Sequence, residues 1–91
     1  MEVRYTKKFQ EDIKRMQKQG ENLDELYTVV DMLVNKEQLP QVYKDHTRKG
    51  NYKGFRVCHI KGDWLLIYRY DTNIEVLILV LARTGSHSNL F

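Results

Sequence analysis

Three histidines lie in the second half of this chain, at His46, His59 and His87. Imidazole is the side chain that most readily takes up and releases protons near neutral pH. The same half of the chain contains Asp63 and Arg83. Gathered at the ends of neighbouring strands, these groups would supply the base, the acid and the cation that cleavage of a phosphodiester requires. We therefore treat them as candidate catalytic residues, with RNA cleavage as the candidate chemistry.

Positive charge accompanies the histidines. Residues 1–43 contain seven Lys/Arg and eight Asp/Glu, whereas residues 44–91 contain eight Lys/Arg and four Asp/Glu. Basic side chains are interleaved with aromatic ones between residues 43 and 61, which suits backbone phosphates and stacked bases. A solvated, turn-rich surface would give the same pattern. The candidate substrate contacts in this segment are Lys44, Lys53 and Arg56.

Composition sets the broad class of the protein. With 42% hydrophobic and 30% charged residues, the chain falls in the range of globular proteins and outside the disordered and membrane classes. Its length suffices for one domain, which we expect to span residues 1–91. No apolar run approaches the roughly 20 residues of a membrane span, and the charged N-terminus shows no signal peptide. We expect a cytoplasmic protein.

Cys58 is the sole cysteine, so no disulfide can form within the chain. A cysteine nucleophile needs an imidazole on its own side. The neighbouring His59 would point to the opposite face of a strand. We expect Cys58 to fill the core.

Hydrophobic spacing predicts two helices in the N-terminal half. Thr6 can cap the first helix and Gly20 can end it. Asn22 and Glu25, three residues apart, resemble a capping box for the second helix. Tyr27 shares the helix-spaced apolar pattern, so we expect it in the core.

The other predicted elements are strands. A short strand is expected at residues 3–5, and three antiparallel strands joined by tight hairpins at 55–60, 64–70 and 74–82. The last is apolar nearly throughout, which favours an interior position. Residues 41–54 read as a long basic loop. The order β-α-α-β-β-β predicts a two-layer α+β fold with two helices packed on an antiparallel sheet.

Strand periodicity also predicts where the candidate residues meet. A two-residue turn at residues 61–62 would set His59 directly opposite Trp64, with Asp63 beside them. Glycine at Gly85 permits a sharp change of direction after the last strand. Periodicity does not say whether the loop that carries His46 reaches the same pocket.

Several motifs recur in a fixed order along the chain. They are Lys44-Asp45-His46, Lys53-Gly54-Phe55-Arg56, Cys58-His59 followed by Asp63-Trp64, Leu66-Ile67-Tyr68, and the ending Arg83-Thr84-Gly85-Ser86-His87-Ser88-Asn89-Leu90-Phe91. In order and spacing the chain resembles the YafQ branch of the RelE toxin superfamily. The resemblance implies a RelE-like fold and a bacterial type II toxin that cleaves mRNA in the ribosomal A site. It implies an active site at the positions of His46, His59, Asp63, Trp64, Arg83, His87 and Phe91.

The resemblance also implies partners. A labile antitoxin would hold the toxin inactive, and the two together would bind their own operator DNA. We expect the free toxin to be a monomer that contacts mRNA and 16S rRNA on the ribosome, with no membrane partner.

The expected mechanism needs no metal or other cofactor. A base takes the proton of the ribose 2′-OH, and the oxygen attacks the adjacent phosphorus. A cation stabilises the phosphorane, and an acid protonates the leaving 5′-oxygen. We hypothesise that His87 is the general acid and that Asp63 and His59 form the base side. Arg83 would clamp the phosphate, and His46 would contact a phosphate or relay a proton. Trp64 and Phe91 would stack on a base.

Three rival hypotheses remain open. The histidines and Asp63 match zinc ligand types, although their spacings fit no standard short motif. The superfamily fold also serves gyrase-poisoning toxins, which lack this histidine set. A translation-blocking RNA-binding protein without chemistry is the third.

Overall fold

The computed structural model describes residues 1–72 and 76–91, which form a five-stranded sheet and three α-helices. Within these residues no helix is long and apolar enough to cross a membrane. The strand order is β1-β5-β4-β3-β2. The elements are β1 (Glu2–Tyr5), α1 (Lys7–Lys18), α2 (Asp24–Val34), β2 (His46–Thr47), β3 (Arg56–Lys61), β4 (Trp64–Thr72), β5 (Leu77–Ser86) and α3 (His87–Leu90).

The α+β class and the order of the long elements are confirmed, and the sheet is mixed. Strands β3, β4 and β5 pair antiparallel, as expected, and the unpredicted strand β2 pairs antiparallel with β3. The prediction of a wholly antiparallel sheet is wrong, because β1 pairs parallel with β5. Residues 41–54 are more structured than a loop, since they contain a 3₁₀ turn at Gln41–Tyr43 and the short strand β2. The predicted turn before β5 and the first residues of the predicted strand 74–82 extend into residues 73–75, outside the described residues.

The two helix starts differ in how well the sequence predicts them. Thr6 caps α1 as expected, because its hydroxyl accepts a hydrogen bond from the backbone N of Phe9 at 3.0 Å. The predicted capping box is half formed: Oδ1 of Asn22 accepts a hydrogen bond from the backbone N of Asp24 at 2.8 Å, although α2 begins at Asp24 and its N-cap residue, Leu23, makes no side-chain hydrogen bond. Glu25 instead accepts a hydrogen bond from the hydroxyl of Tyr43 at 2.7 Å. A long-range partner therefore replaces the local one.

Tyr27 is not in the core, contrary to the sequence prediction, because its side chain is 50% exposed. The buried positions of α2 are Leu26, Val29 and Leu33. Each residue along a helix rotates the side chain by about 100°, which carries Tyr27 off this stripe.

Helices α1 and α2 cover one face of the sheet. Their buried side chains form a single cluster with alternate residues of β3, β4 and β5, including Cys58, Leu66 and Leu79. The other face has a smaller cluster of Val57, Leu65, Ile67, Ala82 and Leu90. Interior strand β5 thus contributes to both clusters, as its apolar sequence predicts.

The β3–β4 hairpin turns one residue later than expected. Lys61 pairs with Trp64 and encloses a two-residue turn of Gly62 and Asp63, in which Gly62 has φ of +54°. A two-residue hairpin turn requires positive φ at this position, which glycine adopts without strain. A register shift between His59 and Lys61 then sets His59 opposite Leu65. The predicted pairing of His59 with Trp64 is therefore wrong.

The C-terminal end of β5 differs from the sequence prediction. The strand does not bend at Gly85 but continues to Ser86, where α3 begins. Gly85 has φ of +149°, and an added Cβ would lie 2.9 Å from Nη2 of Arg15 and 3.6 Å from Cδ2 of Leu90. Glycine is needed here for close approach of neighbouring side chains and not for a change of direction.

Candidate active site on the open face of the sheet

The sheet face opposite α1 and α2 carries most of the candidate residues. Its small apolar cluster is partly covered by Tyr52, Phe55 and Leu90, which come from the segment before β3 and from α3. We call this surface the open face. It contains the short elements β2 and α3, each of which carries one histidine.

Strand β2 brings His46 to His59. His46 pairs with Val57, two residues before His59 on β3, and the two imidazole centroids are 6.3 Å apart. Nδ1 of His46 lies 2.7 Å from the carbonyl oxygen of Lys44. Since a carbonyl can only accept, Nδ1 must carry the proton, and Nε2 is the nitrogen left for exchange with a substrate.

Helix α3 positions the third histidine beside the β3–β4 turn. The backbone N of His87 donates to the carbonyl oxygen of Asp63 at 3.1 Å. The hydroxyl of Ser86 caps the helix by accepting from the backbone N of Asn89 at 3.3 Å. His87 is exposed, and its ring centroid lies 5.1 Å from that of Phe91. His87, the predicted general acid, and Asp63, predicted on the base side, are therefore in contact through their backbones.

Two rings and one arginine contact Phe91. The ring of Tyr52 contacts Phe91 edge-on with centroids 6.0 Å apart, and it meets Phe55 in the same way at 5.8 Å. The guanidinium of Arg48 lies 4.0 Å from the Phe91 centroid. Such cation–π contacts order both groups. Phe91 is thus held by Tyr52, Arg48 and His87, and its side chain remains 37% exposed.

Arg83 lies between the open face and α1. Its Nε and Nη2 donate to the carboxylate of Asp12 at 2.7 and 3.0 Å, and its Nη1 reaches the hydroxyl of Tyr52 at 3.5 Å. The hydrogen bond to Asp12 raises the pKa of Arg83 above its ordinary value, so the group is permanently cationic. A fixed positive charge faces the site at this point.

The strand register relates Arg83 to the histidine pair. His46 pairs with Val57, Val57 with Ile67, and Ile67 with Arg83, which places all four in one row across the sheet. Strands lie about 4.8 Å apart, so the row spans about 14 Å from end to end. His59 lies in the next row on the same face. The open face therefore offers proton-exchanging groups at one side and a fixed cation at the other.

The exposed lysines and Asp63 lie at the edges of the site. Lys44 and His59 line a common cavity of about 490 Å³. Lys53 is exposed in the turn after Tyr52. Asp63 is exposed in the β3–β4 turn, where it borders a second cavity of about 390 Å³ next to the end of α1.

Two of the candidate residues are not brought to the open face. Trp64 is 6% exposed in the cluster under the helices, and its Nε1 donates to the hydroxyl of Thr84 at 2.7 Å. Arg56 forms a bidentate ion pair with Asp45, since its Nε and Nη2 both donate to the Asp45 carboxylate. That carboxylate also accepts a hydrogen bond from the hydroxyl of Tyr68. The side chains of Trp64 and Arg56 face away from His59, in keeping with strand alternation.

Sequence reasoning missed three side chains of the site: Asp12, Arg48 and Tyr52. Asp12 sits in a helix among charged neighbours, and its contact with Arg83 joins residues that are 71 positions apart. For Tyr52 the sequence does give one indication of a place in the site, since it lies in the basic and aromatic segment. Its backbone has φ of +66°, and a tyrosine in this left-handed conformation is uncommon outside constrained sites.

The described residues contain no ready cluster of metal ligands. Within residues 1–72 and 76–91, no group of three or more His, Cys, Asp or Glu side chains is arranged to hold a metal ion.

Known proteins match this chain along its whole length. The family model described as the bacterial YafQ toxin of type II toxin–antitoxin systems covers residues 1–91. The mRNA interferase toxin YafQ of Escherichia coli strain K12 is 35% identical over 91 residues, covering 99% of this chain and 95% of its own.

Solved structures agree with the sequence match. The toxin in a crystal structure of the Escherichia coli DinJ-YafQ complex superposes with a TM-score of 0.86 at 35% identity, covering 99% of this chain and 97% of its own. A metal-bound toxin from Helicobacter pylori superposes with a TM-score of 0.88 at 43% identity, covering 100% and 99%.

The mixed sheet, the histidines on its open face and these relatives together define the class: the chain is a toxin of a bacterial type II toxin–antitoxin system. Within that class it belongs to the YafQ family.

Proposed function

We propose that this toxin is an endoribonuclease that cleaves mRNA in the ribosomal A site and so stops translation. The observation that carries the proposal is the open face, on which the His46–His59 pair, the His87–Phe91 pair and Arg83 share one side of the sheet. The relative from Escherichia coli is named an mRNA interferase, and the proposal extends that activity to this chain. Residues 1–91 would act as one domain in the bacterial cytoplasm, where ribosomes translate.

Substrate binding would use the cation and the rings of the open face. Arg83 would clamp the scissile phosphate, since a guanidinium matches two phosphate oxygens at once. Phe91, backed by Arg48 and Tyr52, would support a nucleotide base by stacking. Lys44 and Lys53, exposed at the edges of the face, would contact neighbouring phosphates of mRNA or rRNA. Trp64 would support this surface from below, through its bond to Thr84.

Proton transfer would use the three histidines without a metal ion or other cofactor. His59, with Asp63, would form the base side that takes the 2′-OH proton, and His87 would protonate the departing 5′-oxygen. His46 would contact a phosphate oxygen or relay a proton through Nε2, because its Nδ1 is engaged by Lys44. Arg83 would stabilise the charge that develops on the phosphorane.

The proposed protein partner is a cognate antitoxin. A relative is solved as the DinJ-YafQ complex, and the basic open face would attract an acidic partner segment. By covering this face the antitoxin would block mRNA, and the complex would bind operator DNA through the antitoxin. Free of it, we expect the toxin to be a monomer.

The chemistry can be tested from the ends of the cleavage products. Attack by the 2′-OH leaves a 5′-hydroxyl and a 2′,3′-cyclic or 3′-phosphate, and these are the expected termini after cleavage in a purified translation system. Products with a 5′-phosphate and a 3′-hydroxyl would refute 2′-OH attack. Toxin that has been stripped of transition metals by chelation and returned to magnesium buffer is expected to keep its rate. Loss of the rate, with recovery on adding zinc or copper, would contradict the metal-free scheme.

A further inference from the structure

The most buried charged side chain of the described residues belongs to Asp12 on α1, at 1% exposure. Its carboxylate accepts hydrogen bonds from Nε and Nη2 of Arg83, from Nη1 of Arg15 at 3.0 Å, and from the backbone N of Thr84 at 3.1 Å. Burial alone would raise the pKa of Asp12, but the bonds from Arg83, Thr84 and Arg15 outweigh it and leave the pKa below its ordinary value. The group is a carboxylate at neutral pH.

The hydrogen bonds of the described residues engage three of the five N–H donors of Arg83. A guanidinium has five N–H donors in a planar fork, and Asp12 takes the edge formed by Nε and Nη2. Tyr52 takes one donor of Nη1. One N–H on Nη1 and one on Nη2 remain outside these bonds, which is the number of donors that a two-oxygen contact with a phosphate uses. Asp12 therefore fixes the plane of the guanidinium without engaging these two donors.

The backbone around Arg83 explains why such an anchor is needed. Strand β1 pairs with β5 only as far as Leu81, so among the described residues no strand lies beside residues 82–86 on that side. The β4–β5 register shifts here, since Ile67 pairs with Arg83 and Tyr68 with Leu81, which leaves Ala82 as an extra residue. A bulge of this kind redirects the next side chain. Arg83 thus leaves a strand edge with a long side chain that packing alone would not orient.

We propose that Asp12 is a positioning residue for catalysis, which holds Arg83 so that its remaining guanidinium donors face the scissile phosphate of the RNA. The inference rests on the proposed function and deepens it. Asp12 does not touch the substrate. Its effect on cleavage passes entirely through Arg83, which distinguishes this role from a contribution to folding alone.

A double-mutant cycle in a purified translation system tests the role, with the cleavage rate as the readout. Asp12→Asn is expected to lower the rate about 100-fold, the loss typical of a misplaced catalytic group. Arg83→Ala is expected to lower it at least as much. Because Asp12 acts through Arg83, adding Asp12→Asn to Arg83→Ala should change the rate by less than about threefold.

A matched control separates positioning from stability. Arg15→Gln removes another ion pair of the same carboxylate while leaving both bonds from Arg83. It is expected to lower the urea midpoint of unfolding and to keep the cleavage rate within about threefold of the wild type. Should Asp12→Asn fail to fold, Asp12→Glu replaces it. Glutamate keeps the negative charge, while its added methylene displaces the carboxylate that holds the guanidinium of Arg83.

Each outcome of the cycle has a defined meaning. Two results would overturn the positioning role and leave the nuclease activity intact. One is a wild-type cleavage rate in Asp12→Asn, and the other is an equal fold-loss of the rate when Asp12→Asn is added to the wild type and to Arg83→Ala. An Arg83→Ala variant that cleaves normally would also overturn this role. A wild-type chain that cuts no mRNA would instead overturn the proposed function itself.

Discussion

At the scale of single residues, the face of the sheet decides which side chains can take part in chemistry. Cys58 and His59 are adjacent on β3 but point in opposite directions. His59 lies on the open face beside His46, whereas Cys58 is 0% exposed in the cluster under the helices. Burial raises the pKa of the Cys58 thiol to about 12, so it is neutral at physiological pH. Strand alternation predicts this separation from sequence alone.

Cys58 should therefore resist alkylation in the folded toxin. The thiolate is the reactive form, and a pKa of about 12 keeps its fraction small up to strongly alkaline pH. Folded toxin incubated with iodoacetamide at pH 8 is expected to remain unmodified by mass spectrometry, with modification increasing only as the pH is raised. The urea-unfolded chain should react readily. Rapid labelling of the folded protein at pH 8 would show that the thiol is accessible and ionised.

The site could be predicted at this scale only where local patterns are sufficient. His46, His59 and His87 stand out by residue type, and the structure brings the first two together and sets the third beside Phe91. The pairing of Asp12 with Arg83 joins α1 to β5 across 71 positions. No periodicity encodes such a contact, because it depends on how the helix packs on the sheet.

At the scale of elements, the shortest ones position the site. Strand β2 has two residues and α3 has four, yet they carry His46 and His87. Neither is long enough to show a hydrophobic period, so the sequence predicts only a loop at the first and the chain end at the second. The β3–β4 hairpin shows a related limit. Its turn lies at Gly62 and Asp63, a register shift follows between His59 and Lys61, and together they set His59 opposite Leu65 and not opposite Trp64.

The end of β5 gives a prediction for Gly85. Alanine there must adopt φ of +149° and place its Cβ 2.9 Å from Nη2 of Arg15. We expect Gly85→Ala to lower the free energy of unfolding by about 1–3 kcal/mol, chiefly through backbone strain, as measured by urea denaturation. Ser88→Ala, an exposed position in the adjoining helix, is the control and should change stability by less than about 0.5 kcal/mol. An unchanged urea midpoint for Gly85→Ala would show that the strand relaxes without strain.

At the scale of the whole molecule, the fold divides stability from chemistry. The larger core lies between the helices and one face of the sheet, and the proposed active site occupies the other face. The α+β class and most element positions follow from hydrophobic periods of 3.6 and 2, which act over short distances. The parallel pairing of β1 with β5 does not follow from them, since it joins the two ends of the chain. Charge asymmetry does point to the basic half as the functional one.

The proposed function has this toxin cut mRNA on the ribosome, with His87 as the general acid. The most direct test maps the 5′ ends of a defined mRNA in a purified translation system, with and without ribosomes. Wild-type toxin is compared with His87→Ala and with the neighbouring control Ser88→Ala. We predict codon-phased cuts that require ribosomes, persist in Ser88→Ala and fall by about 100-fold or more in His87→Ala, the scale expected for loss of a general acid. Cuts of equal intensity in His87→Ala, or inhibition of translation without any cut, would contradict the claim.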